Sequence, residues 1–243
     1  MKRIVIVGAT SGIGSELAKG FAHMGWKVGI AGRREDLLKQ MQAEAPDRIE
    51  YGVIDVNDDA AGNQLDTLIE RIGGMDLFFL SSGIGYQNLE LNVEWEINTV
   101  QTNALGFTRM VTAAFQYFKK TGGGHIAVIS SIAGTKGLGA APAYSATKRF
   151  QRHYVNALSQ LSHMQHLNIS FTDIRPGFVK TGLLKGAGYP MQMNVTDVAA
   201  RIIYAVLHRR RSVVIDWRYS ILVFLWSLIP EFIWERLPVK PTK

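Results

Sequence analysis

Arg3-Ile-Val-Ile-Val-Gly8-Ala-Thr-Ser-Gly12-Ile-Gly14 opens the chain, and a helical pattern over residues 15–24 follows directly. Residues 4–7 are a β-branched run without polar alternation, which predicts a parallel strand buried on both faces. Gly8 allows a tight turn at the strand's end, while Gly12 and Gly14 let backbone approach a pyrophosphate at the N-terminus of the helix. Thr10, Ser11 and Ile13 complete the turn. Glycines alone make only a tight loop between two elements. Strand, glycine turn and helix in this order favour a phosphate cradle.

Downstream, Trp26-Lys-Val-Gly-Ile-Ala-Gly32 reads as a second strand, with Arg33 and Arg34 after it. In a dinucleotide fold the residue at this strand end reads the adenosine ribose, and a carboxylate there accepts from a 2′-hydroxyl. Gly32 has none, and two neighbouring guanidinium groups match a 2′-phosphate, so NADP(H) is expected over NAD(H). The competing reading is that both arginines merely begin a solvated helix. A third strand over 48–56 ends in Asp55 and Val56, the acid standing where it accepts from an adenine amine. An amphipathic helix over 59–73 precedes a fourth strand, 75–80, that leads into Ser81-Ser82-Gly83. Residues 93–119 have helical periodicity with Asn103 in the middle, against its propensity; a surface position is the usual explanation. Strands follow at 125–130, at 167–174 before Arg175-Pro176-Gly177, and at 212–216, with a helix over 195–208. This β-α alternation predicts one doubly wound α/β unit of Rossmann type, a seven-stranded parallel sheet with helices on both faces. It spans 1–216, with 217–243 as a C-terminal extension. The ligand site belongs at the carboxyl ends of the strands, where Gly8, Arg33, Asp55, Ser82, Ser131 and Pro176 fall.

Ser131 ends the fifth strand; Tyr144 and Lys148 follow a Gly-rich loop that closes at Pro142, a residue suited to starting a helix. On that helix an i,i+4 spacing sets phenol and amine on one face. An ammonium beside a phenol lowers its pKa and makes it a proton donor and acceptor near neutral pH. Alone, Tyr-x-x-x-Lys is weak, since most such pairs are solvated helix neighbours.

With these residues placed, the chain resembles the classical short-chain dehydrogenase/reductase (SDR) family over roughly residues 3–216. The ordered set is Gly8-x3-Gly12-x-Gly14, Asp55, Asn103, Ser131, Tyr144-x3-Lys148 and Pro176-Gly177. The resemblance implies a catalytic tetrad of Asn103, Ser131, Tyr144 and Lys148. Tyr144 would exchange a proton with the substrate oxygen while hydride moves to or from NADPH, and Ser131 would hold the same oxygen. Lys148 would bind the nicotinamide ribose and hold down the phenol's pKa. Asn103 would hold a water that links Lys148 to solvent. Pro176 and Gly177 would wall the nicotinamide pocket, Val179 would offer backbone to the carboxamide, and Thr181 a hydroxyl. Ser82 and Gly83 would lie along the cofactor. The sequence departs from the family pattern at Val7, where a threonine is usual, and at Leu80-Ser81-Ser82-Gly83, usually Asn-Asn-Ala-Gly. Both changes weaken polar bracing near the adenine and ribose. Ser11 stands where NADP-binding members often carry a basic residue, so Arg33 and Arg34 bear more of the cofactor preference.

The substrate pocket is expected among residues 84–91, 132–143 and 179–194. Tyr86, Leu138, Phe178, Leu183, Leu184, Tyr189, Met191 and Met193 offer an almost uncharged lining for an apolar ketone, aldehyde or alcohol, lipid-like or steroid-like. The alternative is that these side chains pack the loops on themselves. The expected function is NADP(H)-dependent interconversion of a carbonyl and a hydroxyl; the rival is a cofactor-bound sensor or scaffold with little turnover.

The 243 residues and 47% hydrophobic content suit a substantial core. The absence of cysteine excludes disulfides, thiolate catalysis and Cys-ligated zinc. The six histidines lack metal-ligand spacing and are expected to be structural or superficial, with no metal site. The apolar run at residues 4–7 is too short for a signal-peptide core, so a cytoplasmic protein, possible membrane-surface contact aside, is expected. Of the net charge of +7, residues 201–243 supply +5, with eight Arg/Lys against three Asp/Glu. No nucleic-acid motif accompanies that charge, and no nucleic-acid partner is expected. Residues 217–229 are apolar nearly all round but shorter than the ~20 residues a spanning helix needs. Three readings stand: contact with a second subunit in a homodimer or homotetramer, peripheral membrane contact through 209–234, or completion of the core.

Overall fold

The computed structural model describes residues 1–182 and 189–239. Among them, seven strands form one sheet: β1 (Arg3–Val7), β2 (Lys27–Gly32), β3 (Ile49–Val53), β4 (Leu77–Leu80), β5 (Gly124–Ile129), β6 (Ile169–Arg175) and β7 (Ser212–Val214). Neighbours are parallel throughout, in the order β3-β2-β1-β4-β5-β6-β7. The chain winds outward from β1 to β3, then returns to place β4 on β1's other side. A crevice opens between β1 and β4 at their carboxyl ends, the place where such sheets bind ligands.

The side chains of β1 alternate between two cores. Ile4 and Ile6 pack with Leu17 and Phe21 of α1 (Gly12–His23), with Leu38 of α2 (Glu35–Glu44) and with Ile202 of α7 (Val195–Leu207). Val5 and Val7 face the other way, toward Leu65 of α3 (Ala61–Arg71), Met110 and Phe118 of α5 (Phe107–Thr121) and Val155 of α6 (Pro142–Met164). This two-sided burial is why the strand lacks polar alternation. His125 lies inside as well, bonded to Thr172 Oγ1 at 2.8 Å, and burial pushes its pKa down to about 4.

Most boundaries shift by one or two residues, and three differences from the sequence reading bear on the site or the extension. The helix predicted over 93–119 is α4 (Val93–Val100), a π-helical turn (Gln101–Gly106) and α5. Asp55 lies beyond the end of β3, because its carboxylate accepts from Asn57 N–H and its carbonyl from Asp58 N–H, turning the chain. The seventh strand stops at Val214, since Asp216 (φ 77°) caps α8 (Trp217–Leu228) by accepting from Arg218 N–H. A short α9 (Glu231–Trp234) follows. Among the described residues, no helix is long and apolar enough to cross a membrane.

Candidate active site

The glycine turn fits the crevice because there is no room for side chains. A Cβ on Gly8 (φ 90°) would stand 2.5 Å from Ser82 N, and one on Gly14 2.1 Å from Gly8 O. The first brings β1 against the end of β4; the second lets α1 start close to the strand, so its free N–H groups face the crevice. Thr181 lies over this turn, its Cγ2 3.1 Å from where a Gly12 Cβ would be.

Beside the turn, Arg34 gives its guanidinium to Thr10 Oγ1 (3.2 and 2.6 Å) and to Ser11 Oγ (2.8 Å). Arg33 is exposed next to it. At the end of β2, Gly32 offers no carboxylate, and a Cβ there would press on Thr10 Cγ2 at 3.0 Å. Val56 is buried and its carbonyl accepts from Arg109, 2.8 Å.

Ser131 caps a 3-10 turn (Ile132–Thr135) at the end of β5, its hydroxyl accepting from Ala133 N–H at 3.1 Å. The same hydroxyl donates to Pro176 O at 3.5 Å and stands near enough to the Tyr144 phenol to influence its proton affinity. Tyr144 and Lys148 share one face of α6, as the spacing predicted, with Lys148 Nζ 5.7 Å from the centre of the phenol ring. Burial raises the phenol's pKa and the neighbouring Ser131 hydroxyl opposes that. The expectation that Lys148 lowers it meets a different arrangement here: the ammonium donates to Ile129 O and Gln151 Oε1, both at 3.0 Å. Burial also pulls the Lys148 pKa down to about 8, offset in part by Asp173.

Asn103 is wholly buried in the π-helical turn, not on the surface. Its amide pairs with both backbone groups of Ile84, accepting from N–H at 2.9 Å and donating to C=O at 2.7 Å. It thereby fixes the loop after β4, whose Gly83 passes so close that a Cβ would be 3.2 Å from Asn103 Oδ1 and 3.4 Å from Lys148 Nζ. A side chain also joins Asn103 to Lys148. Gln151, fully buried, donates to Asn103 O at 2.8 Å and accepts from Lys148. The i,i+3 spacing of Lys148 and Gln151 on α6 sets the amide beside the ammonium.

Three further contributors escaped the sequence reading. Gly85 lies flat against Tyr144, where a Cβ would fall 2.5 Å from the ring. Gly134 lets the 3-10 turn touch the backbone of Lys148, at 2.8 Å from a would-be Cβ. Asp173 of β6 is buried beneath the site with Ser130 bonded to it and Arg152 at 3.6 Å. Each depends on a neighbour distant in sequence, and only the glycines left any mark in the chain.

Around the cleft, Val179 pairs with Met193 in a parallel bridge, and Phe178 rests on Tyr189 and Tyr219. Gly177 gives its side-chain space to the Tyr219 ring. Tyr86 stacks on Trp95, with ring centres 5.1 Å apart. Leu183 and Leu184, also expected at the pocket, lie outside the described residues.

Comparison with known proteins agrees with this geometry. Residues 2–190 match the family model for short chain dehydrogenases. An uncharacterized oxidoreductase of Mycobacterium tuberculosis is 30% identical over 242 residues, covering 95% of either chain. A short chain dehydrogenase/reductase from Burkholderia phymatum, solved with NAD, superposes with TM-score 0.85 at 21% identity, covering 100% of this chain and 98% of its own. An alcohol dehydrogenase from Thermococcus sibiricus, solved with 5-hydroxy-NADP, gives TM-score 0.78 at 25% identity, covering 90% and 97%. Sequence match, sheet order and the shape of the crevice converge: the chain belongs to the short-chain dehydrogenase family of oxidoreductases.

Proposed function

We propose that this protein is an NADP(H)-dependent oxidoreductase that interconverts a carbonyl and a hydroxyl on a small apolar substrate, with Tyr144 as general acid and base. The observation that carries the reading is the phenol of Tyr144, packed on Gly85 and set beside Lys148 and Ser131, at the carboxyl edge of the sheet. With its pKa raised, the phenol keeps its proton at neutral pH and is a donor for a carbonyl oxygen that is gaining charge. Ser131 holds the same oxygen.

The cradle at Gly8, Gly12 and Gly14 suits a dinucleotide, since Gly8 and Gly14 bring the strand end and the N-terminus of α1 closer together than any side chain would allow, and a pyrophosphate can lie against that backbone. Thr10, Ser11, Ile13 and Thr181 line it, and Asp55, Val56, Ser82 and Gly83 follow its adenosine side. Pro176, Gly177 and Val179 wall the nicotinamide end, near Asn103, Tyr144 and Lys148. Bound there, the cofactor supplies or accepts hydride, and the protein supplies position and a proton. Arg34, lying on Thr10 and Ser11, and Arg33 beside it support a 2′-phosphate and so NADP(H). Phe178, Tyr189, Met191 and Met193 support an apolar substrate. Exposed Ile97, Val100, Leu105 and Phe150 on α4–α6 support assembly into a homodimer or homotetramer through that face.

Cofactor oxidation against a panel of apolar ketones tests the reaction. Tyr144→Phe is expected to cost on the order of 10²–10⁴ in rate while dinucleotide affinity is kept. Tight NADPH binding with no turnover of any carbonyl would turn the reading toward a sensor. Arg34→Ala is expected to weaken NADPH and leave NADH unchanged; an equal effect on both would remove the cofactor preference.

A further inference from the structure

α8 is apolar on two opposite faces. Tyr219 and Val223 point inward and are buried in the core. Trp217, Ile221, Phe224, Leu225 and Leu228 point outward, each between 51% and 68% exposed. Their spacing of i, i+4, i+7, i+8 and i+11 forms a single stripe along the helix. Past Pro230 the exposed apolar series continues with Phe232, Ile233, Leu237 and Val239. A soluble monomer seldom leaves such a surface in water.

We propose that this face docks on an anionic lipid bilayer, with α8 lying along the surface rather than crossing it. The length of α8, 12 residues, suits an interfacial helix and falls short of a span. Charge decides between occupants. Residues 201–243 hold eight Arg/Lys against three Asp/Glu; Asp216 pairs with Arg218 at 2.9 Å and reaches Arg201 at 4.0 Å, and the basic side chains remain in excess. A groove beside the stripe is lined by Arg201, Arg210 and the single acid Asp216, together with Tyr204 and Trp217. Guanidinium groups next to exposed aromatic rings are the chemistry that anchors a chain among headgroups. A second copy docking here would bring two surfaces of like charge together, whereas anionic lipid neutralises them.

The face also lies against the segments that line the cleft. Lys136 donates to Ile229 O at 2.8 Å, and Trp234 Nε1 donates to Gly137 O at 2.6 Å. Tyr219 directs its hydroxyl at the carbonyls of Pro190 and Met191, 3.1 and 3.0 Å away. A docked α8 therefore sets the pocket mouth near the lipid, which suits an apolar substrate; this last point rests on the function proposed above.

Co-sedimentation of the full chain with vesicles of phosphatidylcholine alone, or of phosphatidylcholine with phosphatidylglycerol, tests the docking without any need for turnover. Binding to the anionic vesicles is expected to be about tenfold stronger and to weaken with salt. Phe224→Glu with Leu228→Glu should abolish it while leaving circular dichroism and elution volume unchanged. Arg201→Gln with Arg210→Gln, which leaves the apolar stripe intact, should remove the preference for anionic lipid. No co-sedimentation with either vesicle would overturn the proposal. So would conversion of an oligomer to a monomer by the glutamate pair, which would assign the face to a second copy. Vesicle binding without turnover of apolar ketones would keep the docking surface and remove only the substrate reading.

Discussion

Tyr144 and Lys148 sit in a common desolvated site that acts on them in opposite senses, raising the phenol's pKa and lowering the ammonium's to about 8. Asp173 is the anion that pulls Lys148 back upward. Lys148 is charged below that pH and neutral above it, so kcat/KM for carbonyl reduction is expected to fall as pH rises through about 8. Asp173→Asn removes the anion, lowers the ammonium's pKa further and should move the limb to lower pH. Rate profiles of the two enzymes check this; a limb in the same place would belong to another group. Gln151 supplies a second test. Gln151→Leu removes a buried donor to the Asn103 carbonyl and a buried acceptor from Lys148, a loss of about 1–3 kcal/mol for a group left unsatisfied. Denaturant unfolding should record that loss, and kcat should fall with it because Lys148 loses a tether.

Among the elements, the π-helical turn between α4 and α5 does what an unbroken α-helix would not. It turns Asn103 inward to clamp Ile84, while Gly106 below it approaches the strand-three loop, 2.9 Å from Val56 O to a would-be Cβ. Such turns recur at functional sites. The clamped loop in turn presents Gly85 to Tyr144. Gly85→Ala would drive a methyl into the phenol ring and tilt it away from Ser131. A misplacement of about 1 Å can cost on the order of 10²-fold in rate, so kcat should drop steeply. Dinucleotide affinity, set mainly across the crevice at Gly8 and Gly14, should change little. Steady-state kinetics with fluorescence titration of NADPH would separate the two effects; a parallel loss of affinity would count against this view.

At the scale of the whole molecule, the C-terminal extension and the segment after β6 are joined through Tyr219. Its ring fills the space left by Gly177, and its hydroxyl accepts from Phe178 N–H at 3.2 Å while facing the carbonyls of Pro190 and Met191. Tyr219→Phe keeps the ring and removes those bonds. Stability is expected to fall by about 1–3 kcal/mol; on the proposed function, KM for an apolar ketone is expected to rise more than kcat falls, because the segment after β6 loosens while Tyr144 is untouched. Thermal unfolding and steady-state kinetics measure both. An unchanged KM would mean that the extension merely closes the core.

The sheet and its crevice were legible in the chain because their determinants are local. A β-branched run, glycines at fixed offsets and an i,i+4 pair each restrict the backbone within a few residues of themselves. The sequence by itself therefore determined the parallel sheet, the glycine turn and the shared face of Tyr144 and Lys148. The inward turn of Asn103, the Gln151 link, the place of Asp173 under Lys148 and the packing of Gly85 on the phenol were decided only in three dimensions. Each needs partners from separate elements, and desolvation, which sets the proton affinities at this site, arises only when those elements close over it.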